Sequence, residues 1–345
     1  MDIKLQTTRL DASLPADLQR AADLLRSGRL VAFPTETVYG LGANAFSHDA
    51  VEAIFAAKQR PHWDPLIVHV ADRAMLAAVA QTTPESLRLI DAFWPGPLTL
   101  LLPRTAAIPA EITAGRPLVG VRMPAHPVSL TLIQAAGVPI AAPSANRFGH
   151  TSPTTAAHVL ADLDGRIDAV LNGGATTVGL ESTVVGIGIG NAGDTVTIFR
   201  PGAITSQMLE AVVGQGNVET YQAVAQTSVP PEGLPSPGVG LRHYAPRARL
   251  HLVDATQAAI DEAVQTCGPG AGPVAVMLPD GWSAGGAPLT YAWGPWEDGK
   301  TLARRLFSGL RALDDVGANL IICPVPQMAG IGDALRDRLH KAAQS

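Results

Sequence analysis

The residues in this sequence best suited to chemistry are hydroxyls, amides and cations placed where a strand ends or a helix begins. They are Thr35, Thr37, Lys58, Arg60, His69, Arg122, Ser144, Asn146, Ser152, Ser182 and Arg200. Ammonium and guanidinium groups neutralise phosphate or carboxylate charge, and hydroxyls hydrogen-bond to the same oxygens. The set therefore predicts a site for an anionic, phosphate-bearing ligand, with catalysis by positioning and charge neutralisation.

Several other kinds of active site are not indicated by the sequence. It contains no P-loop ending in Gly-Lys-Ser/Thr, no GxSxG, no HExxH and no cysteine next to a histidine. Gly330-Ile331-Gly332 lacks the third glycine of a dinucleotide fingerprint. Covalent catalysis and NAD binding are therefore not expected.

The chain is organised around the stretch 33–45, which a β-type run enters at residues 30–33. The helical pattern that follows has Asp49 and Glu52 as a cap and N3 pair. Pro61 disfavours helical geometry at Arg60, so the helix should end near Lys58 and leave both cations facing the hydroxyls of the loop. The alternatives are a plain glycine turn and basic residues that merely suit the helix dipole.

Three further polar residues stand at predicted element ends. His69 ends a strand over 66–70, and Arg122 ends a strand over 118–122. Ser152 precedes Pro153 as the N-cap of a predicted helix, whose free amides favour anions. The competing interpretations are a hydrogen-bonded core histidine, a surface arginine and a serine that only caps.

The order of elements predicts an α/β protein with two domains. Strands and helices mix without strict alternation up to residue 213, which predicts a twisted, partly antiparallel sheet with flanking helices. Residues 214–248 are rich in Pro, Gly and polar residues and are predicted to be a linker. Residues 249–345 alternate strand and helix, as in a small Rossmann-like α/β domain. Residues 1–213 would then form the catalytic domain.

Composition is typical of a globular protein in a reducing compartment. The 345 residues are 47% apolar and 16% charged, with a net charge of −5 and no apolar run long enough to span a membrane. Cys267 and Cys323 form no CxxC, and the N-terminal segment lacks a secretory pattern. We expect a cytoplasmic location, and the negative charge argues against general coating of nucleic acid.

A series of motifs in order resembles the YrdC-type L-threonylcarbamoyladenylate synthases, in the two-domain form with a C-terminal Rossmann-like domain. The motifs are the 33–45 loop, Lys58-x-Arg60-Pro61, Pro65-Leu66-Ile67-Val68-His69, Trp94-Pro95-Gly96-Pro97-Leu98-Thr99, Val121-Arg122-Met123-Pro124, Ala142-Pro143-Ser144-Ala145-Asn146, Glu181-Ser182-Thr183-Val184 and Arg200-Pro201-Gly202. The resemblance covers nearly the whole chain.

This resemblance implies an activity and a distribution of site residues. The reaction would join L-threonine, bicarbonate or CO2, and ATP, with Mg2+, into threonylcarbamoyl-AMP and pyrophosphate. The residues implied for threonine are Thr37, His69, Arg122, Ala142 and Ser182; those implied for ATP are Lys58, Arg60, Ser144, Asn146, Ser152, Arg200 and Tyr244. Lys58 and Arg60 would be catalytic, and Tyr244 would cover the nucleotide from a linker that crosses the active site.

The resemblance also implies partners. The product would pass to a separate tRNA threonylcarbamoyl transferase, for the adenosine beside the anticodon, with at most a weak contact between this chain and tRNA and none with a membrane. The chain departs from the family pattern at Asp64, where Asn or His is expected, and at Phe148, where a small serine is common.

Two alternative functions fit a related fold. An RNA-binding module would bind tRNA without turnover, yet basic clusters with interleaved aromatics are missing from the sequence. A carbamoyl transferase related to hydrogenase maturation would carry cysteine-rich zinc motifs, which two scattered cysteines cannot supply.

Overall fold

The protein divides into two compact units. The computed structural model describes residues 6–188, 195–222, 233–236, 238, 243–267, 270 and 272–344. The first unit comprises 1–148, 153–177 and 181–240, and the second comprises 149–152, 178–180 and 241–345. Within the described ranges, no helix has the length and apolar character needed to cross a bilayer.

The first unit is a mixed sheet with helices on both faces. Its strands are β1 (Thr8–Asp11), β2 (Val31–Phe33), β3 (Gly40–Asn44), β4 (Ile67–His69), β5 (Leu98–Pro103), β6 (Leu118–Arg122), β7 (Ile140–Ala141), β8 (Ala169–Asn172), β9 (Thr183–Ile187), β10 (Val196–Arg200) and β11 (Val218–Thr220). Its helices are α1 (Pro15–Arg26), α2 (His48–Lys58), α3 (Arg73–Val79), α4 (Pro84–Phe93), α5 (Pro127–Ala136), α6 (Ala156–Leu163) and α7 (Ser206–Val213), with a 3-10 turn at Ala110–Thr113.

The strands of this sheet run in both directions. Their order is β1-β8-β2-β3-β7-β4-β6-β5-β9-β10-β11. β4 pairs parallel with β6 and β5 parallel with β9, whereas β5–β6, β9–β10 and β2–β3 are antiparallel. The predicted mixed, twisted α/β sheet is confirmed.

Alternation along the strands separates two apolar clusters. In β2, Val31 and Phe33 belong to a cluster with α1 and α5, while Ala32 between them belongs to the larger cluster with α2, α4, α6 and α7. Because successive side chains of a strand point to opposite faces, the two clusters are the two faces of the sheet. Burial of both faces accounts for strands that read as continuous apolar runs.

Local sequence explains most element ends. α1 stops before Gly28, which has φ +80°, and α4 begins with Pro84 after the Thr83 cap, whose hydroxyl accepts from Ser86 N. The start of α2 differs from the prediction: Ser47, not Asp49, is the N-cap and accepts from Ala50 N at 3.3 Å. The helix does end at Lys58.

The prediction that Ser152 caps a helix is wrong. α6 begins at Ala156, and its N-cap is Thr155, whose hydroxyl accepts from His158 N at 3.3 Å. The free helix amides therefore lie three residues beyond the predicted position, because a Ser-Pro pair is an equally good start for an extended segment.

The second unit contains a four-stranded parallel sheet. Its elements are β12 (Arg249–Val253), α8 (Gln257–Cys267), β13 (Val274–Pro279), β14 (Leu289–Gly294), α9 (Gly299–Asp315), β15 (Leu320–Pro324) and α10 (Ile331–Ala343). The strand order is β12-β15-β13-β14, with all neighbours parallel. This confirms the predicted Rossmann-like alternation, although the sequence did not indicate β14.

The predicted linker 214–248 contains more structure than its composition indicated. β11 pairs parallel with β10. Leu234 N donates to Trp63 O at 2.8 Å and Arg116 Nε donates to Gly233 O at 2.5 Å, so residues 233–236 pack on the first unit. Within the predicted linker that would cross the active site, residues 223–232, Pro237 and residues 239–242 lie outside the described residues.

Candidate functional site

A row of polar side chains crosses one edge of the first unit's sheet. It consists of His69, Thr99, Arg122, Ser182 and Arg200. The C-terminal ends of β4, β6 and β10 lie at this side of the sheet, together with the N-terminal ends of β5 and β9. This follows because β5 runs antiparallel to β6 and β10 runs antiparallel to β9, while β4 is parallel to β6 and β5 is parallel to β9. All five residues are buried.

The face on which this row lies follows from strand alternation. Val68 and Val121 belong to the larger apolar cluster, so the next residues, His69 and Arg122, point to the opposite face. His69 and Arg122 are paired across β4 and β6 in register, which places their side chains next to each other. Each strand thus delivers one polar group to a common surface.

Arg200 reaches this row because of a bulge. The register of β9 and β10 shifts between Ile198 and Arg200. Without the shift, Arg200 would follow Ile198 to the other face; with it, Arg200 Nη2 donates to Ser182 Oγ at 3.1 Å and Nε donates to Ser182 O at 3.1 Å. Ser182 Oγ also lies 2.8 Å from Thr99 Oγ1.

The turn after Arg200 needs a glycine. A Cβ on Gly202 would lie 2.4 Å from the backbone nitrogen of Thr183. The Arg-Pro-Gly motif therefore lets its backbone approach the strand start that carries Ser182.

The loop between β2 and β3 folds onto the row. Thr35 Oγ1 donates to Val38 O at 2.7 Å and lies 2.7 Å from Thr37 Oγ1, which fixes the turn. Arg122 Nη1 donates to Thr37 Oγ1 at 2.9 Å, and Arg122 Nη2 lies 2.6 Å from Glu36 Oε1. The hydroxyls and the guanidinium predicted to share a site are thus in direct contact.

Burial sets the charge states in the row. Desolvation, and next the positive charge of Arg122, lowers the pKa of His69 to about 3, so its imidazole is neutral. Desolvation also lowers the pKa of Arg122, which Glu36 raises and Arg200 lowers. The pKa of half-buried His126 is lowered by desolvation and raised by Glu36. Glu36 thus lies in the field of several basic groups.

A second polar cluster surrounds the end of α2. Lys58 Nζ donates to Ser144 O at 2.6 Å and also to Asn146 O, and the side chain of Lys58 is fully buried. Desolvation, followed by repulsion from Arg60, lowers the pKa of Lys58 well below its usual value. Lys58 therefore holds the loop after β7 through its buried amino group.

Arg60 in this cluster contacts both residues at which the sequence departs from the family pattern. Its Nη2 lies 3.0 Å from Asp64 Oδ2 and donates to Pro65 O at 2.7 Å, and its guanidinium carbon lies 5.9 Å from the centre of the Phe148 ring. Phe148 N in turn donates to Lys58 O at 3.0 Å. Asp64 and Phe148 thus fix the place of Arg60.

The loop 34–39 links the two clusters. Thr37 contacts Arg122 in the row, while Gly40, just beyond the loop, pairs with Ser144. Ala142 N donates to Ile67 O at 2.8 Å, which aligns the strand before Ser144 with β4. The structure therefore brings eleven of the predicted residues into two linked clusters, which are Thr35, Thr37, Lys58, Arg60, His69, Arg122, Ala142, Ser144, Asn146, Ser182 and Arg200.

The other two predicted residues, Ser152 and Tyr244, belong to the second unit. Ser152 is buried. The Tyr244 ring is also buried; its centre lies 5.7 Å from that of Phe307 and 5.1 Å from the guanidinium carbon of Arg338. Their contacts with a nucleotide stay predictions.

Three buried residues of the two clusters were not assigned a role from sequence: Glu36, Asp64 and Thr99. Glu36 lies in the stretch 33–45, but a single acidic residue among hydroxyl residues has no characteristic spacing that would predict its role. A register count along β5 from Leu100, opposite Val121 in β6, could have placed Thr99 beside Arg122. No spacing signal could have revealed the role of Asp64, because residues 60–64 lie beyond the end of α2 and the i, i+4 rule holds within a helix.

The residues offer little for a protein-bound Mg2+. A group that could hold a metal ion, among the described residues, is His48, Glu52 and Glu111, near the start of α2. It contains an imidazole, whereas Mg2+ prefers oxygen ligands, often from substrate phosphates and water. The carboxylate of Glu36, in the loop beside the row, contacts Arg122 instead of offering its oxygens to a metal ion.

Two family profiles match consecutive parts of the chain. One, described as "Telomere recombination" for the Sua5, YciO and YrdC proteins, matches residues 23–202. The other, described as "Threonylcarbamoyl-AMP synthase, C-terminal domain", matches residues 204–344. Together they account for both units.

Relatives match over nearly their whole length. The threonylcarbamoyl-AMP synthase of Bacillus subtilis is 42% identical, over 94% of this chain and 92% of the relative. That of Pyrococcus abyssi is 40% identical, over 94% and 93%. A crystal structure of P. abyssi Sua5 complexed with L-threonine superposes with a TM-score of 0.88 and 38% identity, covering 98% of this chain and 97% of that one.

Proposed function

The chain belongs to the threonylcarbamoyl-AMP synthase family, and from this premise we propose how its residues divide the chemistry. It is an enzyme that makes threonylcarbamoyl-AMP for the threonylcarbamoyladenosine modification of tRNA. The co-substrates, the metal and the role of each residue are the subject of the proposal.

The polar row binds L-threonine. Arg122 supplies a buried guanidinium for the carboxylate, and Thr37, His69 and Ser182 surround it with hydrogen-bonding groups. The neutral imidazole of His69 can donate one hydrogen bond and accept another without repelling a zwitterion. Ala142 N donates to Ile67 O, and Ala142 lies on the same face of the sheet as Ile140, the partner of His69 in β4.

The second cluster, with Arg200, binds ATP. Lys58 and Arg60 carry the positive charge that the triphosphate requires, while Ser144 and Asn146 stand in the loop that Lys58 holds. Ser152 and Tyr244 are proposed as further ATP contacts. Arg200 touches Ser182, so it lies where the threonine and phosphate sites would meet.

The reaction proceeds through a carbamate. The ammonium group of threonine first loses a proton to become the amine. The amine nitrogen then bonds to the carbon of CO2 and releases a second proton, or it bonds to the carbon of bicarbonate with loss of water. A carbamate oxygen then attacks the α-phosphorus of ATP, and the bond to the β-phosphate oxygen breaks with its electron pair leaving on pyrophosphate. Lys58 and Arg60 stabilise the charge that develops on that leaving group.

Mg2+ accompanies ATP in this proposal. It would be held mainly by phosphate oxygens and water, in keeping with an ion pair that occupies Glu36. The activated product would then pass to a tRNA threonylcarbamoyl transferase.

The observation that carries the proposal is the contact between Arg122 and the Thr35–Thr37 turn, which converts scattered residues into one amino-acid site. The test is mass spectrometry of reactions with ATP, Mg2+, 13C-labelled bicarbonate and each amino acid in turn. We expect a labelled threonylcarbamoyl-AMP, with pyrophosphate in equal amount. Pyrophosphate release that does not depend on threonine would contradict the proposal.

A further inference from the structure

Glu36 and Arg122 form a buried ion pair in the wall of the polar row. The carboxylate oxygen Oε1 lies 2.6 Å from Arg122 Nη2, and the two side chains are 10% and 4% exposed. The contact joins a carboxylate and a guanidinium that are both shielded from water.

Each partner keeps a buried polar atom that the described residues do not satisfy. On Glu36 this atom is Oε2, an acceptor, and on Arg122 it is Nε, a donor. A buried polar atom without a partner is unfavourable, and more so when it is charged. A side-by-side acceptor and donor of opposite charge is the pattern that a small zwitterion can satisfy at both of its ends.

We propose that Glu36 is a substrate-binding residue that receives the α-ammonium group of the amino-acid substrate while Arg122 receives its α-carboxylate. This rests on the proposed function, which places threonine in the row. It adds the recognition of the amine, the atom that must later become the carbamate nitrogen.

No side chain of the row itself is an anion. Arg122 and Arg200 are cations, His69 is neutral with a pKa of about 3, and Thr37 already accepts a hydrogen bond from Arg122. The carboxylate that lies against Arg122 is that of Glu36. An ammonium group gains most from an anionic acceptor in a desolvated place.

The site would then select α-amino acids before any chemistry occurs. A ligand that has the carboxylate but no ammonium group would leave Glu36 Oε2 without a hydrogen-bond donor. It would also place two carboxylates beside the single guanidinium of Arg122. A ligand with the ammonium alone would leave Arg122 Nε unsatisfied. Only a zwitterion satisfies both, so removal of either charge should cost binding disproportionately.

The experiment compares three ligands on the full-length protein by calorimetry without ATP. The ligands are L-threonine, (R)-3-hydroxybutyrate, which lacks the amine, and L-threonine methyl ester, which lacks the carboxylate charge. We expect Glu36→Gln to raise the Kd for threonine about ten- to hundredfold, the range for loss of a hydrogen bond to a charged group. The Kd for 3-hydroxybutyrate should change by less than about threefold. Arg122→Lys should instead weaken threonine and 3-hydroxybutyrate alike.

The ratio of the Kd values for threonine and 3-hydroxybutyrate in one variant distinguishes a direct contact between Glu36 and the ligand from a purely structural role of Glu36. If Glu36 only holds Arg122 in place, Glu36→Gln will weaken threonine and 3-hydroxybutyrate by the same factor, and the proposal is wrong. Glu36→Asp, which keeps the charge, should restore part of the preference for the amine; its failure to do so while folded, by thermal unfolding, would also overturn the proposal.

Glu297 is exposed and lies outside both clusters, so Glu297→Gln is a control that should change neither ratio. Failure of the proposed function looks different: the wild-type protein would then bind none of the three ligands, or would release pyrophosphate without threonine. In contrast, a wild-type enzyme that makes the product but binds 3-hydroxybutyrate as tightly as threonine would refute the role of Glu36 alone.

Discussion

Lys58 Nζ lies 2.6 Å from the carbonyl oxygen of Ser144, which fastens the end of α2 to the loop that follows β7. The ammonium also donates to Asn146 O, so two of its three donors are directed at one loop. Burial lowers the pKa of Lys58, and the carbonyl oxygens offset part of that cost. The amino group of Lys58 is thus fixed in place before a ligand binds, in keeping with a role on phosphate.

Replacement of Lys58 should abolish most of the turnover. In Lys58→Ala we expect pyrophosphate release to fall by roughly two orders of magnitude or more, because the variant lacks a donor to the leaving phosphate. The measurement is a coupled pyrophosphate assay at saturating ATP and threonine. Lys300→Ala, at an exposed position, is the control and should retain wild-type turnover.

The same variant has a structural consequence that must be measured separately. Loss of the hydrogen bonds to Ser144 O and Asn146 O should free the loop, which hydrogen exchange of the amides in residues 144–147 would report. Near-normal turnover by Lys58→Ala would refute the catalytic role, whatever the loop does.

The ion pair of Arg60 and Asp64 should be worth more than a surface pair. Its side chains are 4% and 1% exposed, and removal of one partner leaves a buried charge. We expect Asp64→Ala to lower the free energy of unfolding by about 3–5 kcal/mol, and Asp64→Asn by about 1–3 kcal/mol. Urea unfolding followed by circular dichroism measures both.

A matched control comes from an exposed pair in the same unit. Arg73 and Asp91 are in contact with side chains 58% and 64% exposed, so Asp91→Asn should cost under about 1 kcal/mol. An Asp64→Ala variant as stable as Asp91→Asn would show that Asp64 does not hold Arg60 by charge.

The hydroxyl of Ser182 should matter chiefly for threonine. It accepts from Arg200 Nη2 and lies within hydrogen-bond distance of Thr99 Oγ1. We expect Ser182→Ala to raise KM for threonine about tenfold and to leave KM for ATP nearly unchanged. Thr99→Val, which removes only the supporting hydroxyl, should have a smaller effect; equal effects on both substrates would contradict the assignment.

The sequence predicted the elements well where local rules decide them. Apolar periodicity and Gly28 place α1, and Pro84 after Thr83 places α4. The end of α2 near Lys58 follows from Pro61 two residues after Gln59, the left-handed C-cap with φ 56°. These features depend on neighbours in the chain, which a sequence displays directly.

The parts of the site that depend on tertiary register could not be predicted in this way. Arg200 joins the row because of a bulge, and the register shift that makes it is invisible in an apolar run. The Ser152 cap failed because a Ser-Pro pair fits both a helix start and an extended segment. The pairing of Glu36 with Arg122 joins residues far apart in the chain, so it required the sheet order.

Stability should decrease below about pH 6.5 because of His69. The folded protein holds this imidazole neutral with a pKa of about 3, whereas the unfolded chain protonates it near 6.5, so the unfolded state binds more protons between these values. The stabilisation is present above about pH 6.5 and is lost as pH falls, at up to about 1.4 kcal/mol per pH unit.

Urea unfolding at about pH 7 and about pH 5 tests this on the wild type and on His69→Asn. Carboxylates titrate equally in both proteins, so the difference between the two pH dependences isolates the imidazole. We expect the wild type to lose about 2 kcal/mol more than His69→Asn over this interval. Identical losses would mean that His69 is protonated in the folded protein, and a neutral imidazole beside Arg122 could no longer be part of the threonine site.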